Sequence, residues 1–170
     1  MERQDNALPG VSYVMPVLNE RPYVEDAIHT VLSQDYPGDQ HLVLALGPST
    51  DGTNELVEAL AAKDARISFV HNPNTDIPVG LNLAIRASTN PIVVRVDAHS
   101  ELEAGYTAAA VATLQRTGAA NVGGVMLARG KTAFQRAVAR AYNSPFGLGG
   151  ARYHGGAKEG AAESAYLGVF

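Results

Sequence analysis

"PIVVRVDAHS", residues 91–100, begins as a buried strand and ends as something else. Ile92, Val93, Val94 and Val96 are β-branched, and a short apolar run of this kind reads as a strand covered on both faces. Asp97 and His99 then follow two residues apart, where the strand should run out. Alternate residues of an extended segment project to one side, so carboxylate and imidazole can reach one ion with only Ala98 between them. Two readings stand together: a turn with a solvated Asp and a surface His, or a metal site. The D-x-H pair alone is short enough to recur by chance, so its place in the fold has to decide.

Working outward, "VSYVMPV" (11–17), "HLVLAL" (41–46), "ISFVH" (67–71) and "VGGVMLA" (122–128) also read as strands. Helical patterns lie between them. Val24, Ala27, Ile28, Val31 and Leu32 fall at i, i+3, i+4, i+7 and i+8, with Pro22 suited to a first turn. Leu56, Val57, Leu60 and Ala61 repeat the stripe after the turn "GPSTDGT". Further helices are predicted over 79–88, over 103–117 with a stop at Gly118, and over 131–142 with Phe134, Ala137, Val138 and Ala141 on one side. This alternation predicts an α/β fold with a mostly parallel sheet and helices on both faces. Ligands in such sheets sit beyond the carboxyl ends of the strands, where strand order reverses. With the usual order 3-2-1-4, the exits "PVLNE" (16–20) and "VDAHS" (96–100) become neighbours there, and Asn19, Glu20, Asp97 and His99 should converge.

The bulk properties bound the function. A chain of 170 residues, 46% hydrophobic and 18% charged, suits one domain with a real core. A net charge of -4 and scattered basic residues argue against nucleic acid as a partner. The absence of cysteine excludes disulfides, thiolate metal sites and a Cys nucleophile, and fits an intracellular protein. "MERQDNALPG" carries no apolar signal region, and no stretch approaches the roughly 18 unbroken apolar residues of a spanning helix. The expectation is a soluble chain without a transmembrane segment.

No G-x-G-x-x-G follows the first strand and no G-x-x-x-x-G-K-[ST] occurs, so a dinucleotide fingerprint and a P-loop are disfavoured. A diphosphate bound without a glycine cradle needs its charge met otherwise, and a divalent cation does this directly. A carboxylate with an imidazole suits Mn²⁺ better than Mg²⁺, which prefers oxygen ligands but stays possible.

"VSYVMPVLNE" with its amphipathic helix, then "GPSTDGT", then "VDAH", resembles the front half of a family 2 glycosyltransferase of the GT-A fold. In that family the first strand ends in a P-x-x-N-E-like turn, the second exits into a D-D-G-S-T-D-G-T-like loop, and D-x-D follows the fourth. "PVGLNLAIRAS", "VRVDAHS", "NSPFGLGGARYHGG" and "AYLGVF" together are most similar to the branch with succinoglycan-biosynthesis glucosyltransferases. The resemblance covers about residues 11–170. It implies a Rossmann-like three-layer sandwich whose C-terminal part is missing, so residues 1–170 would form a single, incomplete donor-binding domain.

It also implies inverting transfer of a sugar from a nucleotide-sugar donor to a saccharide or lipid-linked acceptor in polysaccharide biosynthesis. The implied place is the cytoplasm or the inner face of the cell membrane, with peripheral membrane association open to the full-length protein. Asp97 and His99 match the first and last positions of D-x-D and become the metal ligands. Pro16, Asn19 and Glu20 shape the turn against the nucleoside, although Asn19 equally suits a helix cap. Arg95 either pairs with a carboxylate or reaches the phosphates. The resemblance also puts the general base downstream of the strand "SAYLGVF", beyond Phe170, in an acidic motif near a later helix.

One departure stands out. Where the family has acidic residues opening the second loop, this chain has Leu46, Gly47 and Pro48, and Asp51 reads as a loop and cap residue. His29, His41 and His71 carry no partner signal, and Glu101/Glu103 and Glu159/Glu163 read as solvated charges. The glycine-rich stretch 143–160, with Arg152, Tyr153 and His154, is long for an idle connection; it reads either as a plain flexible connector or, as the resemblance implies, as a segment that folds over donor or acceptor. Two other classes remain: a metal-dependent nucleotidyltransferase or phosphohydrolase using Asp97 and His99, and a non-catalytic nucleotide-sugar-binding remnant.

Overall fold

The computed structural model describes residues 8–144, 159–162 and 165–170. Strands β1 (Val11–Val17), β2 (Gln40–Leu46), β3 (Ile67–His71) and β4 (Ile92–Arg95) alternate with helices α1 (Val24–Leu32), α2 (Thr53–Ala61) and α3 (Ile77–Ala87). Helix α4 (Tyr106–Thr117), β5 (Val122–Gly124), α5 (Ala133–Tyr142) and β6 (Tyr166–Val169) follow. The sheet runs in the order β3-β2-β1-β4-β6-β5. The first four strands are mutually parallel, and β6 is antiparallel to both β4 and β5. The predicted order 3-2-1-4 is the observed one.

Period-2 alternation sorts the strand residues between two apolar layers. Val11, Tyr13, Met15 and Val17 of β1, with Leu42, Leu44 and Leu46 of β2, face the buried stripes of α1, α2 and α4. Val14, Val43, Ala45 and Val93 point the other way, against Ala84, Leu81 and Ile85 of α3. Both faces are covered, which is why these strands are continuous apolar runs. Gly118 closes α4 with a φ of 63, as the sequence suggested.

Two expectations are corrected, and a third gains a qualification. β5 stops at Gly124 instead of reaching residue 128. A Cβ on Gly123 would lie 2.7 Å from that of Ala165, and one on Gly124 would lie 2.6 Å from the Tyr106 ring. Glycine therefore lets β6 and α4 close on this strand, and the bulkier residues after it leave the ladder. Helix α4 begins at Tyr106, after Gly105 in the left-handed region, and not at residue 103. The apolar stripe of α5 is real but uncovered: Phe134 is 79% exposed, Val138 48%, and Ala139 is the helix's buried residue. Among the described residues no helix is long and apolar enough to cross a membrane.

Tyr13 ties the central strand to α4. Its hydroxyl donates to Gln40 Oε1 at 3.1 Å and lies 2.7 Å from Thr107 Oγ1. Burial, only partly offset by the Thr107 hydrogen bond, pushes this phenol from 10.0 up to about 12. Between those two pH values the folded chain keeps a proton that the unfolded chain has lost, so this contribution is full below pH 10 and is lost towards about 12. Tyr13→Phe should remove Tyr13's share of the alkaline loss of stability. At neutral pH it should cost about 1–2 kcal/mol, because the Thr107 hydroxyl loses its partner. Urea denaturation of both proteins across that pH range checks the prediction; parallel slopes would contradict it.

Candidate functional site

The loops leaving β1 and β2 are stitched together. Asn19 sits in the left-handed region with a φ of 54, which asparagine tolerates better than most residues. Its N–H donates to Ser49 Oγ at 3.0 Å, and its Oδ1 accepts the Thr50 N–H at 2.8 Å. The Glu20 N–H donates to Thr53 Oγ1, and the Arg21 N–H to Asp51 Oδ2. Asp51 also accepts the Thr53 N–H at 3.1 Å, the loop-and-cap role expected of it. The Thr53 hydroxyl, ahead of the Arg21 and Thr53 amides, holds the Asp51 carboxyl below its ordinary range. Asn19 does not cap α1, whose N-cap is Tyr23; its side chain bridges to the next loop instead.

At the β4 exit Asp97 Oδ1 accepts from Arg95 Nη2 at 3.1 Å and from Nε at 3.3 Å. Of the two readings of Arg95, it takes the carboxylate. His99 Nδ1 lies 2.9 Å from Glu20 Oε1. This contact joins residues 79 positions apart, one at the end of β1 and one after β4. The predicted convergence is present for Glu20, Asp97 and His99, whereas Asn19 is engaged by Ser49 and Thr50 of the β2 exit and does not line the cleft. Pro16, Glu20, Asp97, Ala98 and His99 line one cleft of about 260 Å³.

The donor set suits a divalent ion. Arg95 occupies one Asp97 oxygen and leaves the other, and Glu20 occupies His99 Nδ1 and leaves Nε2 on a ring that is 59% exposed. A carboxylate on the far nitrogen is the usual way a metal-binding imidazole is oriented. Among the described residues no group of three or more His, Cys, Asp and Glu side chains is placed to hold a metal ion by itself. A cation here would therefore complete its shell with ligand oxygens and water.

The opposite wall was not anticipated. Asn72, just after β3, is 5% exposed and lines the same cleft with Asn74, Thr75 and Ile77. Its Nδ2 donates to the Asp76 carbonyl at 3.2 Å, while its Oδ1 is buried without a partner among the described residues. A Cβ on Gly80 would lie 3.0 Å from that Nδ2, so glycine there gives Asn72 its room. "HNPNT" matches no motif, but the rule that found the β1 and β4 exits applies equally to β3. At the β2 exit Gly47 also lines the cleft, so the missing family carboxylates leave bare backbone there.

The remaining candidates are elsewhere. His29 is exposed on α1, the His41 imidazole meets Ser68 Oγ at 3.1 Å, and His71 packs edge-on to Phe69. Glu101 is exposed, Glu103 pairs with Arg129, and Glu159 pairs with Arg116. Arg152, Tyr153, His154 and Glu163, with most of the glycine-rich stretch, lie outside the described residues.

A larger open groove of about 930 Å³ adjoins the cleft, and His99 lines both. Its walls come from α1, α5, the residues after His99, and the segment following β5.

Known proteins share this architecture. The succinoglycan biosynthesis protein ExoA of Rhizobium meliloti is 34% identical over 146 residues, which are 85% of this chain and 44% of that protein. The putative teichuronic acid biosynthesis glycosyltransferase TuaG of Bacillus subtilis is 32% identical over 93 residues, 54% of this chain and 36% of its own. The mannosyltransferase PcManGT of Pyrobaculum calidifontis, solved in complex with GDP-Man and Mn2+, superposes with a TM-score of 0.66 at 28% identity. That superposition covers 81% of this chain and 41% of the other. The chain thus spans less than half the length of the relatives it matches. Residues 12–162 match the family model described as Glycosyl transferase family 2, and with the GT-A architecture and the stitched cleft already in view, the chain belongs to that family.

Proposed function

We propose that this chain is the donor-binding part of an inverting glycosyltransferase that takes a nucleotide-sugar and serves polysaccharide biosynthesis. The observation that carries the reading is the His99–Glu20 contact, which brings an oriented imidazole beside Asp97 in one cleft. A divalent ion, Mn²⁺ before Mg²⁺, supplies Lewis-acid charge at the diphosphate when bound. Asp97 and His99 hold it, Arg95 steadies Asp97, and Glu20 steadies His99. Pro16 and the Asn19–Thr50 bridge fix the rim on which the nucleoside rests, and Asn72 forms the wall facing it. The GDP-Man and Mn2+ bound by PcManGT, together with the ExoA and TuaG likenesses, support this reading.

Inversion requires a base to take the acceptor hydroxyl's proton as its oxygen attacks the anomeric carbon. Glu103 and Glu159 are each engaged by an arginine. We place the base outside the described residues, and the acceptor, saccharide or lipid-linked, on the side of the larger groove. The setting proposed is the cytoplasm, at the inner face of the cell membrane.

Thermal shift with nucleotide-sugars, with and without Mn²⁺, tests the reading. A ligand at about 100 times its Kd stabilises the fold by about 2.7 kcal/mol, which is roughly 5–10 °C for a chain of this size. The expected outcome is a shift with nucleotide-sugar only when Mn²⁺ is present. A shift with nucleoside triphosphate alone would favour nucleotidyl transfer, and no shift with any nucleotide would overturn the proposal.

A further inference from the structure

Strand β6 is irregular where it enters the sheet. Val169 pairs with Val94 of β4 and with Val122 of β5, while Tyr166 pairs with Gly124. The pairing thus takes three steps along β6 for two along β5, which is a bulge of one residue. Within it Leu167 has a φ of 46, in the left-handed region. That conformation suits glycine, and a bulky leucine holds it only under strain, of the kind that clusters at functional sites. The Tyr106 hydroxyl pins the turn by donating to the Leu167 carbonyl at 2.9 Å.

The bulge decides where Tyr166 points. Residues opposite one another in an antiparallel pair share a face, and so do alternate residues of one strand. Val122 and Gly124 therefore place Val169 and Tyr166 on the same face. It is the face of α4, since Val169 belongs to the layer built on α1, α2 and α4 and a Cβ on Gly124 would meet the Tyr106 ring. In an unbroken strand Tyr166, three residues from Val169, would turn to the α3 face instead. As folded, it lines the larger groove together with His99, and its hydroxyl lies 3.5 Å from Ser100 Oγ.

We propose that Tyr166 and Ser100 hold the sugar of the nucleotide-sugar, and that the bulge at Leu167 is the device that aims Tyr166 at it. The inference rests on the donor reading above, and strand order carries it further. The nucleoside rim belongs to β1, β2 and the exit of β3, the Asp97–His99 pair to the exit of β4, and Tyr166 to the next strand outward. A nucleotide-sugar is linear in the same sense: nucleoside, diphosphate, sugar. With its diphosphate at the β4 exit, the sugar falls one strand spacing further on, about 4.8 Å, at the head of β6. A phenol and a serine hydroxyl each donate and accept, as the hydroxyls of a sugar ring require.

Calorimetry in Mn²⁺ tests the subsite by setting each nucleoside diphosphate against its sugar: UDP against UDP-glucose, and GDP against GDP-mannose. For the pair that the wild type binds, Tyr166→Phe should weaken the nucleotide-sugar about fivefold, the worth of one hydrogen bond, and leave the diphosphate within about twofold. Ser100→Ala should act in the same sense, and the double variant should fall short of the product of the two, since the hydroxyls share one ligand. Leu167→Val should lose the sugar's share as Tyr166→Phe does, because a β-branched residue resists this φ. Leu167→Gly accepts it and should restore the wild-type ratio. Circular dichroism confirms each fold. Equal losses on diphosphate and nucleotide-sugar, or no loss on either in Tyr166→Phe, would overturn the subsite and leave the donor reading standing. A wild-type ratio in folded Leu167→Val would overturn the role of the bulge. A wild type that binds none of the four ligands would overturn both readings together.

Discussion

Asp97→Ala is expected to weaken Mn²⁺-dependent binding of a nucleoside diphosphate by about 100-fold or more. Changing a residue that merely orients a metal ligand costs 10–100-fold, and Asp97 would be a ligand itself. His99→Ala should match it, while Glu20→Gln should cost only about tenfold, since the amide still reaches His99 Nδ1 but no longer carries charge. Isothermal calorimetry with GDP and UDP in Mn²⁺ reads all three. The graded order is the informative part: it requires Glu20 to act through His99. Equal affinities in wild type, Asp97→Ala and His99→Ala, with unchanged unfolding transitions, would remove the cation from this cleft.

The second large effect is on the fold. Leu44 is fully buried in β2, registered between Met15 of β1 and Phe69 of β3. Leu44→Ala should cost about 3 kcal/mol through lost transfer energy and the cavity left behind, lowering Tm by roughly 6–12 °C. Phe134→Ala removes a larger side chain from a surface position and should stay within about 0.5 kcal/mol. Differential scanning calorimetry of the two variants reads both, and a comparable loss in each would mean that Phe134 is covered in solution.

What was legible in the sequence follows from these packing relations. β1 to β4 could be read because a sheet covered on both faces demands unbroken apolar runs, and "VSYVMPV" and "HLVLAL" are such runs. Their parallel order then placed the exits together without reference to any motif. "VGGVMLA" misled because its composition suits a strand throughout, while the close approach of Tyr106 and Ala165 at the two glycines goes with a strand of only Val122–Gly124. The α5 stripe was read with the right period, but periodicity reports a face and not what lies against it. In the cleft, Asp97 and His99 were visible as a local pair. The Glu20 contact and the Asn72 wall were not, because they are made by segments far apart in the chain that only the sheet brings together.

The antiparallel strand β6 has a consequence for the order of assembly. β1 to β4 are joined by short crossovers and can pair as each emerges from the ribosome, whereas β6 lies far downstream of β4 and completes its outer edge. Val93 exchanges both backbone hydrogen bonds with Phe170, at 2.7 and 3.0 Å. Until that segment is made, the strand that delivers Asp97 and His99 has a partner on one side only, and a distant loop must close before it gains the second. The β1–β2 rim of the cleft can thus mature early in synthesis, while the outer edge of the strand bearing the D-x-H pair stays unpaired until β6 is made, open in the meantime to chaperones and to mispairing.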